Sequence, residues 1–179
     1  MKLLIAYASK TGCTREMATM LASLLPNHEV TLADLAGEQP DPACFDYVVL
    51  GTPIRMNRAH KAVVQYIQSH EDVLCRVPHT LFLCCAFSDQ FDHYCRVAFS
   101  DELIKSAEEC VYFGGDLSLS RHHGIEKLLV RMIRNGILES EEDDAVLPNL
   151  MPEHVRVLAD RLRVKTCFFQ KGVDKAALL

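Results

Sequence analysis

The sequence predicts an α/β protein on a doubly wound, five-stranded parallel sheet of order 2-1-3-4-5. Three observations carry that expectation. Short apolar runs with the character of buried parallel strands recur along the chain, stretches of helical spacing separate them, and the first helix follows directly on the first strand.

The strands are expected at 2–7, 29–33, 47–51, 80–85 and 111–115. The first helix is the clearest: Met17, Met20, Leu21, Leu24 and Leu25 fall on one face, and Pro26 stops it. Ala59, Val63, Tyr66 and Ile67 repeat the pattern more loosely, and 96–109 gives the weakest helical pattern. Ile125, Leu128, Leu129, Met132 and Ile133 are strictly spaced, with Gly124 before them and Gly136 after. A last helix starts at Pro152, with Asn149 or Leu150 near its cap, and carries Val155, Leu158 and Leu162. The acidic stretch 139–144 reads as a solvated connector. Residues 1–166 are expected to form one domain and 167–179 a tail.

Composition narrows the function. A hydrophobic fraction of 49% and a charged fraction of 24% are those of an ordinary globular chain. A net charge of −5 argues against nucleic acid as a partner, because phosphate neutralisation needs clustered Lys and Arg. No apolar run reaches the ~18 residues of a membrane helix, and the start of the chain lacks the pattern of a secretory leader. The eight cysteines include no C-x-x-C pair and several lie inside apolar runs, so free thiols in a reducing cytoplasm are expected. His122 and His123 have no spaced acids around them, and no metal is expected.

The candidate site begins at YASKTGCT, residues 7–14. In an open α/β sheet, ligands bind beyond the carboxyl ends of the strands, and a helix amino terminus there offers unpaired N–H groups. Neither G-x-x-x-x-G-K-[ST] nor G-x-G-x-x-G is present. No cysteine has the arginine six positions on that a phosphatase loop would use, and Gly51 stands where a response regulator would want aspartate. What remains is S-x-T-G-x-T: Ser9, Thr11, Gly12 and Thr14, with Lys10 a solvated side chain and Cys13 at the helix start. Hydroxyls there can donate to phosphate oxygens, and one glycine lets the chain turn onto the helix. A plain hydroxyl-rich turn is the alternative. Phosphate held without a catalytic lysine or a magnesium site suggests a retained cofactor.

This hexapeptide, at the end of strand one, resembles the phosphate loop [ST]-x-[ST]-G-x-[ST] of the flavodoxin family. The resemblance implies FMN as cofactor, with Ser9, Lys10, Thr11, Gly12, Cys13 and Thr14 around its phosphate. It places the flavin ring between the loops after strands three and four, against Thr52, Pro53, Ile54, Arg55 and Met56 on one side and Ala86, Phe87 and Ser88 on the other. Flavodoxins often carry aromatic residues there, and this chain has no tryptophan. Arg55 beside the ring would favour the anionic reduced flavin: at about 4 Å and an effective dielectric of about 20, the attraction is roughly 4 kcal/mol before desolvation.

Gly51, Ile54 and Arg55, then Gly114, Gly115 and Leu117, then IEKLLVRMI look like the flavodoxin-type protoporphyrinogen dehydrogenases over roughly residues 1–165. That resemblance implies a quinone acceptor and a porphyrinogen substrate. The segment 88–106 departs from it, being short and mixed in charge where that family has a longer basic insertion. Arg121, His122, His123, Lys127, Arg131 and Arg134 gather basic charge elsewhere, and an amphipathic basic helix can make peripheral contact with an anionic membrane. The apolar stripe of 125–133 is nonetheless expected to face the sheet. Cys84 and Cys85 are expected on opposite faces of their strand. An electron-transfer protein without a substrate pocket is the other functional reading, and no catalytic acid or base stands out.

Overall fold

KLLIAY forms β1 (Lys2–Tyr7), and five of its six side chains are buried because strands flank it and helices cover both its faces. The computed structural model describes residues 1–121, 123–139 and 147–170. β2 (Glu29–Asp34) and β3 (Tyr47–Arg55) pair with β1 on either side, and β5 (His79–Cys84) and β6 (Glu109–Tyr112) extend the sheet from β3. All these pairings are parallel, in the spatial order β2-β1-β3-β5-β6. This is the expected 2-1-3-4-5 order, with one addition. β3 runs past Gly51 to Arg55 and folds back into the short antiparallel β4 (Arg58–Ala59), so the expected loop at 52–58 is a hairpin.

α1 (Cys13–Ser23) and α6 (Pro152–Gln170) cover one face of the sheet. Met17, Ala18 and Leu21 of α1 and Val155, Leu158, Ala159 and Leu162 of α6 are buried with Leu3, Ile5, Val49 and Phe82. The Arg163 guanidinium ties the two helices by donating to the Leu24 carbonyl at the end of α1, at 3.0 Å from Nε and 2.6 Å from NH2. α6 is also held at its far end. Lys165 pairs with Glu108 and lies 4.9 Å from the centre of the Tyr47 ring. Burial pushes the Tyr47 hydroxyl up to about 12, which keeps it protonated between Thr80 and Glu108.

The opposite face is covered by α2 (Lys61–Leu74), α3 (Phe91–Ala98) and α4 (Asp101–Ser106). The weakly patterned stretch 96–109 is thus two short helices meeting β6. Phe99 is extended between them, and Ser100 starts α4 by accepting from the Leu103 N–H at 3.2 Å.

No described side chain of α5 (Gly124–Glu139) belongs to either core cluster. The helix runs past Gly136 to Glu139, and the described residues of its stripe do not face the sheet, contrary to the expectation. Leu128 and Met132 are 60% and 71% exposed, while Val130 is buried. The physical reason is that α1 and α6 already fill the face that α5 would have needed. The acidic connector, apart from the end of α5 at Glu139, lies outside the described residues, as do His122 and residues 171–179.

Candidate functional site: an anion loop beside an apolar slot

The loop after β1 is shaped by Gly12, whose φ of 93° only glycine adopts without strain. Its N–H donates to Ser9 Oγ at 3.1 Å, which curls the loop, and the Thr11 hydroxyl donates to Cys13 Sγ at 3.6 Å. Gly12 is also the N-cap of α1, and no side chain caps that helix. Its first N–H groups and its positive end therefore face the loop. Thr14 in the first turn is fully buried, and its hydroxyl makes no hydrogen bond of ordinary geometry with the described residues; the Cys84 thiol is its polar neighbour. A buried hydroxyl with only a thiol beside it is held at a cost of about 1–3 kcal/mol. Lys10 is exposed at the loop tip. Hydroxyls, helix N–H groups and one lysine make a donor set that fits a phosphate ester.

Beside the loop lies a cavity of about 250 Å³. Thr11 and Cys13 form its inner end, the β3–β4 hairpin supplies Pro53, Ile54, Arg55 and Met56, and the loop after β5 supplies Ala86 and Phe87. Eight expected site residues therefore share one wall system. Ser9, Lys10, Gly12 and Thr14 belong to the adjoining loop. Thr52 and Ser88 stand apart. The Thr52 hydroxyl donates to the Pro53 carbonyl at 3.2 Å and accepts from the His60 N–H at 3.0 Å, so it shapes the hairpin, and Ser88 is exposed at the start of a short turn.

The hairpin tip is strained. Met56 and Asn57 both have positive φ, 48° and 57°, as a two-residue turn between Arg55 and Arg58 requires. Asn tolerates this conformation; for Met it costs roughly 1–2 kcal/mol. The turn presents Met56 to solvent at the cavity rim, 71% exposed. Strain of this kind collects at ligand clamps.

Several wall residues were not in the expected set: Cys84 and Tyr94, Gly115, Asp116 and Leu117 after β6, and Leu129, Val130 and Ile133 of α5. The G-G-x-L pattern after β6 was the available signal for the middle group. A Cβ at Gly115 would stand 2.4 Å from the Cys85 carbonyl carbon, so the chain can pass there only with glycine. The α5 residues carried no signal of their own, since their spacing is equally that of a helix packed on a sheet.

Arg55 puts a positive charge in the wall on the hairpin side. His60 lies below the usual histidine range, chiefly because it is part-buried, with Lys61, Lys10 and Arg55 lowering it further against the opposite pull of Asp34. It is thereby kept neutral, and its Nδ1 accepts from the Ala62 N–H at 3.3 Å as the N-cap of α2. Burial raises the Cys84 thiol strongly and pushes Cys85 up to about 12. Both stay protonated near neutrality and are poor nucleophiles. They point to opposite faces of the sheet, Cys84 with the α1–α6 cluster and Cys85 with the α2–α3 cluster.

An uncapped helix start in a hydroxyl-bearing loop, next to a largely apolar cavity at the head of a doubly wound sheet, defines an α/β protein of the mononucleotide-binding class. The chain belongs to the flavodoxin domain family, whose pattern its residues 4–144 match. Among curated proteins, the protoporphyrinogen IX dehydrogenase (quinone) of Escherichia coli strain K12 is 26% identical over 144 residues, covering 74% of this chain and 78% of its own. The Streptococcus pneumonia TIGR4 flavodoxin superposes with a TM-score of 0.53 at 18% identity, over 92% of this chain and 99% of its own. Two-electron reduced Megasphaera elsdenii flavodoxin gives 0.51 at 17%, over 62% and 84%. At such identities the structural likeness is one of fold. No described helix is long and apolar enough to cross a membrane.

Proposed function

We propose that this chain binds FMN and works as an FMN-dependent oxidoreductase, drawing electrons from a small reduced substrate and delivering them to a quinone. The observation that carries the cofactor is the uncapped start of α1 behind the Gly12 turn, in a loop that carries the Ser9 and Thr11 hydroxyls. Ser9, Thr11, Gly12, Cys13 and Thr14 would hold the phosphate, with Lys10 adding charge. Ile54, Arg55, Met56, Ala86 and Phe87 would border the ring. The flavin supplies the redox chemistry, and the protein supplies binding and electrostatics. Arg55 sets a positive charge in the cavity wall and favours uptake of electron density there.

An enzyme is supported over a simple carrier by the walls of the slot. Leu129, Val130 and Ile133 of α5 enclose apolar space opposite Ile54 and Phe87, more than a phosphate loop alone requires. The relative's name suggests protoporphyrinogen as the reductant and a quinone as the acceptor. A membrane-dissolved quinone fits the exposed Leu128 and Met132, which share α5 with Lys127, Arg131 and Arg134.

Purification tests the reading. The protein should be yellow, or turn yellow with added FMN, and release FMN on denaturation. Titration with protoporphyrinogen IX and a menaquinone analogue should then give turnover. A colourless protein that refuses FMN would end the proposal, and reduction solely through a protein reductase would favour the carrier.

A further inference from the structure

Arg121 stands over the anion loop although it lies over a hundred residues away in sequence. A Cβ built on Gly12 would be 3.4 Å from its NH1 nitrogen, so the guanidinium edge is in contact range of the loop's central residue. The other two nitrogens are engaged. Nε pairs with Asp116 Oδ2 and NH2 with Glu16 Oε2, each at 2.8 Å. Asp116 is fixed in turn, since its Oδ1 accepts from the Ser118 N–H at 2.7 Å. These pairs keep the guanidinium above the usual arginine range, the Glu16 hydrogen bond being the largest cause.

The two carboxylates differ in a useful way. The Asp116 side chain is 21% exposed and locked, whereas the Glu16 side chain is 51% exposed and lies at the rim. A phosphate at the loop would bring negative charge next to NH1, and Glu16 is the partner that water can take over. A planar guanidinium can serve Asp116 and a phosphate oxygen at once.

The same residue leads into α5. Arg121 ends the short turn Leu119–Arg121 and its N–H donates to the Ser118 carbonyl at 3.2 Å. α5 starts at Gly124, with φ of 56°, and brings Leu129, Val130 and Ile133 to the cavity. We infer that Arg121 is a positioning residue that reads the phosphate of the bound mononucleotide and couples its capture to the seating of α5 over the ring. This rests on the FMN reading above.

The test compares FMN with riboflavin, which lacks the phosphate, by quenching of flavin fluorescence on the full chain, with trypsin cleavage inside α5 as a second readout. Arg121→Gln should weaken FMN binding by about tenfold or more and change riboflavin binding by less than about twofold. FMN, and not riboflavin, should protect α5 of the unsubstituted protein from trypsin, and Arg121→Gln should abolish that protection. Equal losses for both flavins, or no loss for either, would overturn the role of Arg121 while leaving FMN as cofactor. Binding of neither flavin by the unsubstituted protein would remove the cofactor reading itself. Should Arg121→Gln not fold, Glu16→Gln leaves the arginine in place and removes its competitor. It should tighten FMN and leave riboflavin unchanged, and weaker FMN binding would refute the coupling.

Discussion

Gly51 and Phe82 face each other in the β3–β5 register, and the phenyl ring fills the space that any side chain at 51 would need. A Cβ on Gly51 would fall 1.9 Å from Phe82 Cζ. Phe82 cannot easily yield, because it is fully buried and its ring centre is 4.6 Å from that of Phe113. Gly51→Ala should therefore lower stability by roughly 2–3 kcal/mol, read as a shift in the urea midpoint at unchanged slope. A midpoint equal to that of the parent would show that the ring moves aside freely.

Thr14 separates folding from binding. Its hydroxyl is buried with only the Cys84 thiol beside it, so Thr14→Val should change the stability of the flavin-free protein by no more than about 1 kcal/mol. The same change should weaken FMN binding by about tenfold, since a donor to the phosphate is gone. Isothermal titration and thermal melts together decide this. Loss of stability with unchanged affinity would place the hydroxyl in the fold and outside the site.

Arg55 should set the potential. Arg55→Gln removes a positive charge from the cavity wall, and the two-electron midpoint of bound FMN should fall by about 30 mV or more, equivalent to about 1.4 kcal/mol. Spectroelectrochemical titration measures it. A potential that stays or rises would mean that the guanidinium is directed away from the ring.

Acid should weaken the fold in a defined window. His28 and His60 are both lowered from 6.5, in each case chiefly by burial. A histidine lowered in the folded state contributes stability that is complete above the unfolded value and lost as pH falls below it. Around His60, the Asp34 charge opposes this while Lys61, Lys10 and Arg55 reinforce it. The melting temperature should drop as pH falls below about 6.5, and the drop should shrink in His60→Asn, which keeps a helix cap but does not titrate. A melting profile flat across that window would contradict the burial of these rings.

The outer face of α5 can be tested without touching the core. Leu128 and Met132 are so exposed that Leu128→Glu with Met132→Glu should alter stability by less than about 0.5 kcal/mol. Sedimentation with phosphatidylglycerol vesicles should show the parent protein bound at low salt and the double variant free. Equal binding of the two would remove the membrane from consideration.

Much of this was legible from the chain alone. The strand order followed from alternation, and S-x-T-G-x-T after the first apolar run marked the glycine turn onto α1 where phosphate is proposed to sit. Both are local: buried strands need continuous apolar side chains, and a phosphate loop needs hydroxyls and a glycine at fixed offsets. The hairpin was missed because TPIRMNR lacks the Asn-Gly or Asp-Gly that usually marks a two-residue turn; here Met56 and Asn57 take the strained positions.

What the residues determined by themselves was most of the elements, their order, and the hydroxyls and glycine of the first loop. Only the tertiary structure decided where α5 lies and which distant side chain meets Gly12. An apolar stripe states that a helix has something to cover and not what it covers. Here α1 and α6 had taken the sheet face, so α5 was left at the slot. Arg121 reaches the loop through its bonds to Glu16 and Asp116, and such long-range pairing leaves no periodic trace in a sequence.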